Sequence, residues 1–398
     1  MAPEQPLAER LASAAPGDRF CLAPGMHRGP LRIPAGVEVR GPRSAVIASA
    51  GRGSTVLLAG RGAALRGVTV DGSGSRFDLL DAAVRVAADG CRVEGVRVVR
   101  ALFGILAEQA RGLLLRDNEV VGLEEKPLGL RGDGIRLWEV RASRIEGNRL
   151  VHSRDLVVWY SPGNVFRDNR VEHGRYGTHF MYSHDNRVEG NLYLDNVVGI
   201  FVMYSRGVEI RGNTLARSAG AAGMGIGSKE SGSLAILENR ILANHVGLYL
   251  DTSPLRPDEP NRIEGNEFRF CDTAVVFHGV AAGNRFTYNR FRDNGLPVRS
   301  EGRGDARDAI FRRNEWGDYA GYDLDGDGIG DLPYVLRSLE HDLTRREPAL
   351  RFFRGTPAMM LVELVGRVVP LFEPRTLLVD PEPLLGPPAK RSAPAHGA

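Results

Sequence analysis

One mark recurs through the chain and constrains its fold more than any other feature: an asparagine behind a polar residue or glycine, followed by a short alternating stretch. It falls at Asn118 (RDNEV), Asn148 (EGNRL), Asn169 (RDNRV), Asn191 (EGNLY), Asn213 (RGNTL), Asn239 (LENRI), Asn266 (EGNEF), Asn289 (TYNRF) and Asn314 (RRNEW). The intervals are 30, 21, 22, 22, 26, 27, 23 and 25 residues. A unit of about 22 residues therefore repeats, lengthened in places by loop insertions. Upstream, Val68 and Val96 fill the same place in RGVTV and EGVRV.

Within each unit, segments such as NRVEGN and VGIFVMY alternate with period two, which argues strands. Glycine and asparagine between them suit tight corners that need positive φ. Strands this short bury no core alone but do so when stacked on their neighbours. The expectation is an all-β chain, a right-handed parallel β-helix whose asparagines form a ladder along the axis. Eleven or more coils at about 4.8 Å each make a rod of roughly 50–60 Å. A propeller needs a longer period and leucine-rich repeats a different consensus.

The expected organisation is a leader and cap over 1–18, the solenoid over 19–317, an Asp/Gly-rich loop over 318–334 that ends it, and a helical and proline-rich tail over 335–398. Helical spacing from Pro6 to Ala15 suits the cap.

Laying the coils on one another predicts columns along one strand. Anchored on Gly199, the places of Ile200 and Val202 hold almost only apolar residues and should point inward. Alternate places face out. One outward column reads Glu108, Trp138, Trp159, Met181, Met203, Asp251 and His278, and its neighbour Leu106, Arg136, Val157, His179, Phe201, Tyr249 and Val276. The coil at 221–228 fits with a shift of one or two residues and brings Met224 towards the strip. Aromatics, methionines and histidines in an outward row have two readings. A loop or the tail packs over them, or they form a soft-metal or partner site. Thioether and imidazole are the ligand types that select Cu(I). The candidates are His179, Met181, Met203 and Met224, with His184 and His278 as further ligands.

The stretch DYAGYDLDGDGIGDLPY (318–334) begins like a calcium loop, with Asp323, Asp325 and Asp327 before Gly328. Asp331 sits at position nine, and Tyr334 stands where an EF-hand has glutamate. The alternatives are an oxygen-ligand site for calcium or a rigid acidic turn. Beyond it, the apolar spacing of Met359, Met360, Leu361, Leu364, Val365, Val368, Leu371 and Phe372 suits a cap folded back on the solenoid and a docking element for a membrane partner, two readings that can hold together.

Composition narrows the function. The formal net charge is +3, no basic block stands out, and nucleic-acid binding is not favoured. The three cysteines, Cys21, Cys91 and Cys271, lie far apart and read as small buried hydrophobes. No apolar run is long enough to span a membrane. The N-terminus carries no charged-then-apolar leader, which implies a cytoplasmic protein or one whose leader has been trimmed.

Taken together, the asparagine-marked repeat, LAPGMHRGPL, THFMYSHDNRVEGN, GIFVMYS, NEWGDYAGYDLDGDGIGDLPY and the apolar tail resemble the NosD family of nitrous oxide reductase maturation proteins. The resemblance covers almost the whole chain. It implies a non-catalytic periplasmic protein bound to the permease and ATPase of an ABC transporter. Such a protein receives copper from a lipoprotein chaperone and helps assemble the copper-sulfide centre of nitrous oxide reductase. It also implies that His179, Met181 and Met203 carry copper, that the tail contacts the permease, and that the leader has been removed. Two other readings stand beside it. One is a carbohydrate-active enzyme using Glu108, Asp133, Asp155, Asp251 and Arg136, with Trp138 and Trp159 stacking sugars. The other is a pure binding scaffold.

Overall fold

The computed structural model describes residues 7–301, 306–353, 356–368 and 376–386. Among them, two sheets of 13 strands and one of 12 run the length of the molecule, and a two-stranded sheet closes one end. The first long sheet runs from Arg19–Cys21 to Ile310–Arg312, the second from Gly25–Arg28 to Glu315–Trp316, and the third from Leu31–Ile33 to Leu296–Glu301. Each of the first twelve coils contributes one strand to each sheet in turn and the thirteenth contributes to the first two, and each strand pairs in parallel with those of the neighbouring coils. This is the parallel β-helix that the repeat predicts.

Inward side chains of all three sheets meet in one apolar core. Ile145, Phe166, Phe180, Val188, Ile200, Val202, Ile210 and Leu215 are fully buried in it. Burying such a side chain contributes about 1.5–3 kcal/mol, so the stack is held by many small, repeated contributions.

The asparagine ladder is continuous. From Asn118 to Asn289, each side-chain NH2 donates to the Oδ1 of the next ladder asparagine at 2.9–3.0 Å. It also donates to a backbone carbonyl, as Asn191 does to Phe166 at 2.9 Å. Each Oδ1 further accepts the backbone N–H of the preceding ladder asparagine. The amides, buried to 2% exposure or less, are thus fully satisfied. Positive φ falls on the residue before the asparagine rather than on the asparagine itself. Asp117, Asp168, Glu238, Tyr288 and Arg313 hold φ of 54 to 58° there, and glycine takes the place at 147, 190, 212 and 265.

Both ends are covered. The helix Leu7–Ala12 buries Leu7 and Leu11 and packs against the strand Leu31–Ile33. At the other end the ladder needs a final acceptor, and Asp380 supplies it. Its Oδ2 accepts the backbone N–H of Asn314 (3.0 Å), the Asn314 side-chain NH2 (2.9 Å) and the indole N–H of Trp316 (3.1 Å). Asp380 ends the strand Thr376–Asp380, which pairs antiparallel with Tyr334–Arg337. Trp316 stacks on Tyr334 with ring centroids 4.4 Å apart. The tail therefore caps the solenoid through its strand. Between these strands lie the helices Leu339–Arg346 and Pro357–Val368. In the second helix Met359 is buried while Leu361, Leu364 and Val365 are exposed. Leu371 and Phe372 lie outside the described residues, as do the side chains of Met360 and Val368. None of the described helices is long and apolar enough to cross a membrane.

One expectation about the cysteines fails. Cys91 and Cys271 are buried thiols, but Cys21 is exposed. It lies outside the core because its strand buries only the central Phe20, and it accepts a hydrogen bond from Arg40 Nε at 3.2 Å.

Candidate soft-metal site on the third sheet

Registers along the third sheet reproduce the predicted columns. Glu108, Trp138, Trp159, Met181 and Met203 follow one another in direct pairing, as do Leu106, Arg136, Val157, His179 and Phe201. Thr178, Phe180, Ile200 and Val202 point into the core with no exposure. The Thr178 hydroxyl is satisfied by Tyr193 OH at 2.9 Å.

A glycine column makes this geometry possible. A Cβ on Gly177 would stand 2.4 Å from the carbonyl oxygen of Gly199, and one on Gly199 would stand 2.5 Å from that of Gly225. Backbones approach too closely there for any side chain. Just before this column Tyr176 presents its ring to His179, with centroids 4.7 Å apart, and stacks on Phe201 at 5.6 Å.

His179 lies at the centre of the strip. Its Nε2 is 3.2 Å from Met203 Sδ, and Met203 pairs directly with Met181 of the preceding coil. The indole of Trp159 stands edge-to-face to the imidazole, 5.7 Å between centroids at 87°. Although it faces outward, His179 is only 7% exposed. Burial pushes its pKa down to about 4, opposed by the negative charge of Asp155. The ring is therefore neutral at neutral pH, the state in which imidazole binds metal. Its Nδ1 has no hydrogen-bond partner. A soft ion at about 2.0 Å from a nitrogen and about 2.3 Å from a sulfur spans an N···S gap of this size at an angle of roughly 95°.

Register separates the other candidates from this pair. Met224 pairs with Val198 and Val246, and the place of Met203 in that coil is taken by Lys229. The sulfur of Met224 lies beside Phe201 instead, where both would crowd a Cβ on Gly227. His278 is in the Met203 column but three coils on, roughly 14 Å away, with Nδ1 bonded to Asp251 Oδ1 at 3.0 Å. His184 accepts the backbone N–H of Arg206 at 3.2 Å. It lines a separate depression of about 260 Å³ with Tyr204, Glu230, Arg256 and Glu259.

Carboxylates near the strip are already engaged. Asp133 is bonded by Arg136 (3.1 Å) and Arg154 (2.8 Å). Asp155 is bonded by Arg175, with Arg154 at 3.5 Å. Glu108 pairs with Arg85 at 2.6 Å. Asp133 is almost fully enclosed, and burial pushes its pKa up against the pull of Arg154. Arg136 lies over the Trp159 ring, 4.8 Å from its centroid. One coil earlier on the same sheet, Leu80 and Leu123 pack on Leu102, Phe103 and Leu106. The strand of the tail packs on Tyr334–Arg337, Ile310–Arg312 and Ala306–Asp308.

In the acidic loop, ligand oxygens of Asp323, Asp325 and Asp327 lie within 4.8 Å of one another. Asp323 accepts the N–H groups of Gly326 and Gly328, and those bonds hold its carboxyl below the usual range. Asp331 turns to the N–H of Leu324 at 2.8 Å and stands apart from the trio.

Sequence reasoning missed Tyr176, Arg175 and Asp380. Tyr176 stands directly before the glycine of YGTHFMYS, and that position was the available signal.

Comparison with known proteins places the chain in a family. Residues 116–321, which hold the whole strip from Trp138 to His278, match the model of the periplasmic copper-binding protein family NosD. A probable ABC transporter binding protein NosD from Pseudomonas aeruginosa is 31% identical, covering 96% of this chain and 91% of that protein. One from Stutzerimonas stutzeri is 26% identical over 89% and 84%. Among solved structures, the A-module of the mannuronan C-5 epimerase AlgE6 from Azotobacter vinelandii aligns with a TM-score of 0.57 at 17% identity, covering 76% of this chain and 92% of that one. The N-terminal fragment of bacteriophage phi29 gene product 12 aligns at 0.54 and 13%, covering 73% and 66%. Those two likenesses are of fold. By its sequence along nearly its whole length, the chain belongs to the NosD family.

Proposed function

We propose that this protein is a non-catalytic periplasmic accessory of an ABC transporter that takes Cu(I) as cargo at His179, Met203 and Met181. It then passes the ion on for assembly of the copper-sulfide centre of nitrous oxide reductase. The observation that carries the reading is the 3.2 Å approach of His179 Nε2 to Met203 Sδ on the outer side of the sheet, with Met181 in register beside it. Imidazole plus thioether, with no carboxylate in the set, suits a soft monovalent ion and weakly held cargo. The family description agrees with copper, and the names of the relatives agree with an ABC transporter. On this reading a copper chaperone lipoprotein loads the site, and the exposed face of Pro357–Val368 meets the permease, which works with its ATPase. The protein is then membrane-associated through its partner.

The sugar-enzyme alternative has less support. Asp133, Asp155 and Glu108 are held by arginines and Asp251 by His278, which leaves no free carboxyl pair for acid–base work. The acidic loop is proposed as a calcium-type structural site formed by Asp323, Asp325 and Asp327, with Asp331 supporting the turn.

The test is anaerobic Cu(I) titration against a competing chelator. The wild type should bind one ion, and the His179→Ala/Met181→Ala/Met203→Ala variant should lose at least about a hundredfold in affinity. Met224→Ala and His278→Ala should bind as the wild type does. Equal binding by wild type and triple variant would remove the site.

A further inference from the structure

Arginine is matched by carboxylate over much of the solenoid. On the first sheet Arg116 pairs with Glu94 at 2.6 Å and Arg167 with Glu189 at 2.5 Å. Two places earlier on the same face, and at the corner leading into it, the matching stops. Arg92, Arg111, Arg141, Arg144 and Arg187 are all exposed. Among the described residues, none of these five guanidinium groups has an ion pair or a hydrogen bond. They are scattered in the chain, and coil stacking assembles them. Arg111 pairs directly with Arg141, so two like charges stand on backbones about 5 Å apart. Arg92, Arg144 and Arg187 share one column, with Leu114 and Val165 between them. Asp89 and Asp185 lie at the same corner, but neither pairs with them. Asp89 accepts the backbone N–H of Arg111 at 2.7 Å, and the carboxylate of Asp185 fills the space beside Gly207. The whole chain carries only +3, so this is a local concentration of charge.

A second feature runs along the same edge. Tyr160, Tyr182 and Tyr204 directly follow Trp159, Met181 and Met203, so they border the soft-metal strip. Their rings stack at 5.4 and 5.0 Å, and Trp138 extends the row with its ring 5.1 Å from Tyr160. All three tyrosines hold φ of 49 to 52°, a conformation that disfavours a bulky residue. Tyr160 and Tyr182 are nevertheless 40% and 44% exposed, so core packing does not account for them. The row ends at the depression of about 260 Å³, where Tyr204 and Leu255 supply apolar wall and His184 and Arg206 part of the rim. His184 and Arg206 continue the corner column of Arg141, two and three coils on. Tyrosine row, arginine cluster and depression are therefore one continuous edge.

We propose that this edge is the docking surface for an acidic protein. Its carboxylates meet Arg111, Arg141, Arg144 and Arg187, and one of its apolar side chains enters the depression beside Tyr204. Charge complementarity sets the sign of the partner. Exposed tyrosine beside arginine, with a concave anchor site, sets its class, since these residue types are enriched among those that carry protein–protein binding energy. A linear polyanion would use the charges and leave the tyrosines idle. The role of the docked protein rests on the copper reading: because the edge borders Met181 and Met203, the partner is the protein that loads or unloads the strip.

The test uses the metal-free full chain and three probes: the soluble domain of the copper chaperone lipoprotein, nitrous oxide reductase, and alginate as a polyuronate. Binding is followed by biolayer interferometry at low and at physiological salt. At least one of the two proteins should bind the wild type, more weakly as salt rises. Arg141→Glu/Arg144→Glu should weaken that binding at least about tenfold, mainly through slower association. Tyr160→Ser/Tyr182→Ser should weaken it at least about fivefold, mainly through faster dissociation. Arg262→Glu/Arg285→Glu changes the net charge equally, further along the same column, and should bind as the wild type does. All these positions but Arg285 and Arg262 lie on the proposed edge, and circular dichroism and melting establish that each variant folds. Binding by neither protein, equal losses in the two arginine variants, or full binding by the tyrosine variant overturns the proposal. Alginate binding with neither protein bound overturns it in favour of a polysaccharide surface. No copper is present in any arm, so failure here leaves the Cu(I) titration standing, and failure of that titration leaves the docking result standing.

Discussion

At the scale of the residue, the decisive feature is a histidine that faces outward yet is nearly closed off from water by Tyr176, Trp159 and Phe201. Its depressed pKa, about 4, has a signed consequence. The unfolded chain takes up the proton near the ordinary value, while the folded chain resists it until much lower pH. His179 therefore adds stability that is fully present above about pH 6.5 and is lost as pH falls towards 4, on the order of 2–3 kcal/mol. Urea melts from pH 7.5 to 4.5 should show this slope in the wild type and a shallower one in His179→Gln. On the copper reading, Cu(I) affinity should be nearly flat from pH 8 to about 5, because no proton competes for Nε2 there. The place of His179 was legible because the coils either side repeat the spacing of GTHFMYS and GIFVMYS. The place of Met224 was not. GMGIG offers more than one glycine as anchor, and register takes Gly225 rather than Gly223, which carries Lys229 into the methionine column.

At the scale of the element, the ladder couples every coil to the next. Removing one amide from the middle orphans several buried groups at once. Asn191→Ala should take the acceptor from the backbone N–H and from one side-chain N–H of Asn169, and the amide donor from the carbonyl of Phe166, and cost about 3–5 kcal/mol, measurable as a fall in the urea midpoint. Asp380→Ala acts differently. It strips the terminal acceptor from Asn314 and Trp316, so amide exchange should rise first in 310–316 and spread only weakly into earlier coils. Faster exchange spread evenly along the rod would contradict a local cap. The ladder itself was legible, since nine asparagines share one place. Its cap was not, because Asp380 stands 66 residues beyond Asn314 in the chain and follows no repeat that reading could extend. The corner conformation was also only half legible, since glycine and asparagine were the expected means of reaching positive φ, whereas the ladder asparagines do not adopt it and five of the nine corners before them use another side chain.

At the scale of the whole molecule, the solenoid is a rigid ruler capped at one end by a short helix and at the other by its own tail. The tail caps with its strand while its second helix leaves Leu361, Leu364 and Val365 exposed, the first two at 60% and 58%. Cap and docking are compatible readings of the tail, and the separate strand and helix accommodate both. Leu361→Glu/Leu364→Glu should leave the melting of the solenoid unchanged and abolish co-purification with the transporter permease. Retained co-purification would remove the helix from the docking surface. What the rod offers its partners, on this account, is one soft-metal site at a fixed height on one face. X-ray absorption at the copper edge on the one-to-one Cu(I) complex tests that claim most directly. The account predicts a first shell of one nitrogen and two sulfurs that loses sulfur in Met203→Ala and nitrogen in His179→Ala. A shell of nitrogen and oxygen alone, or one unchanged by both substitutions, would contradict it.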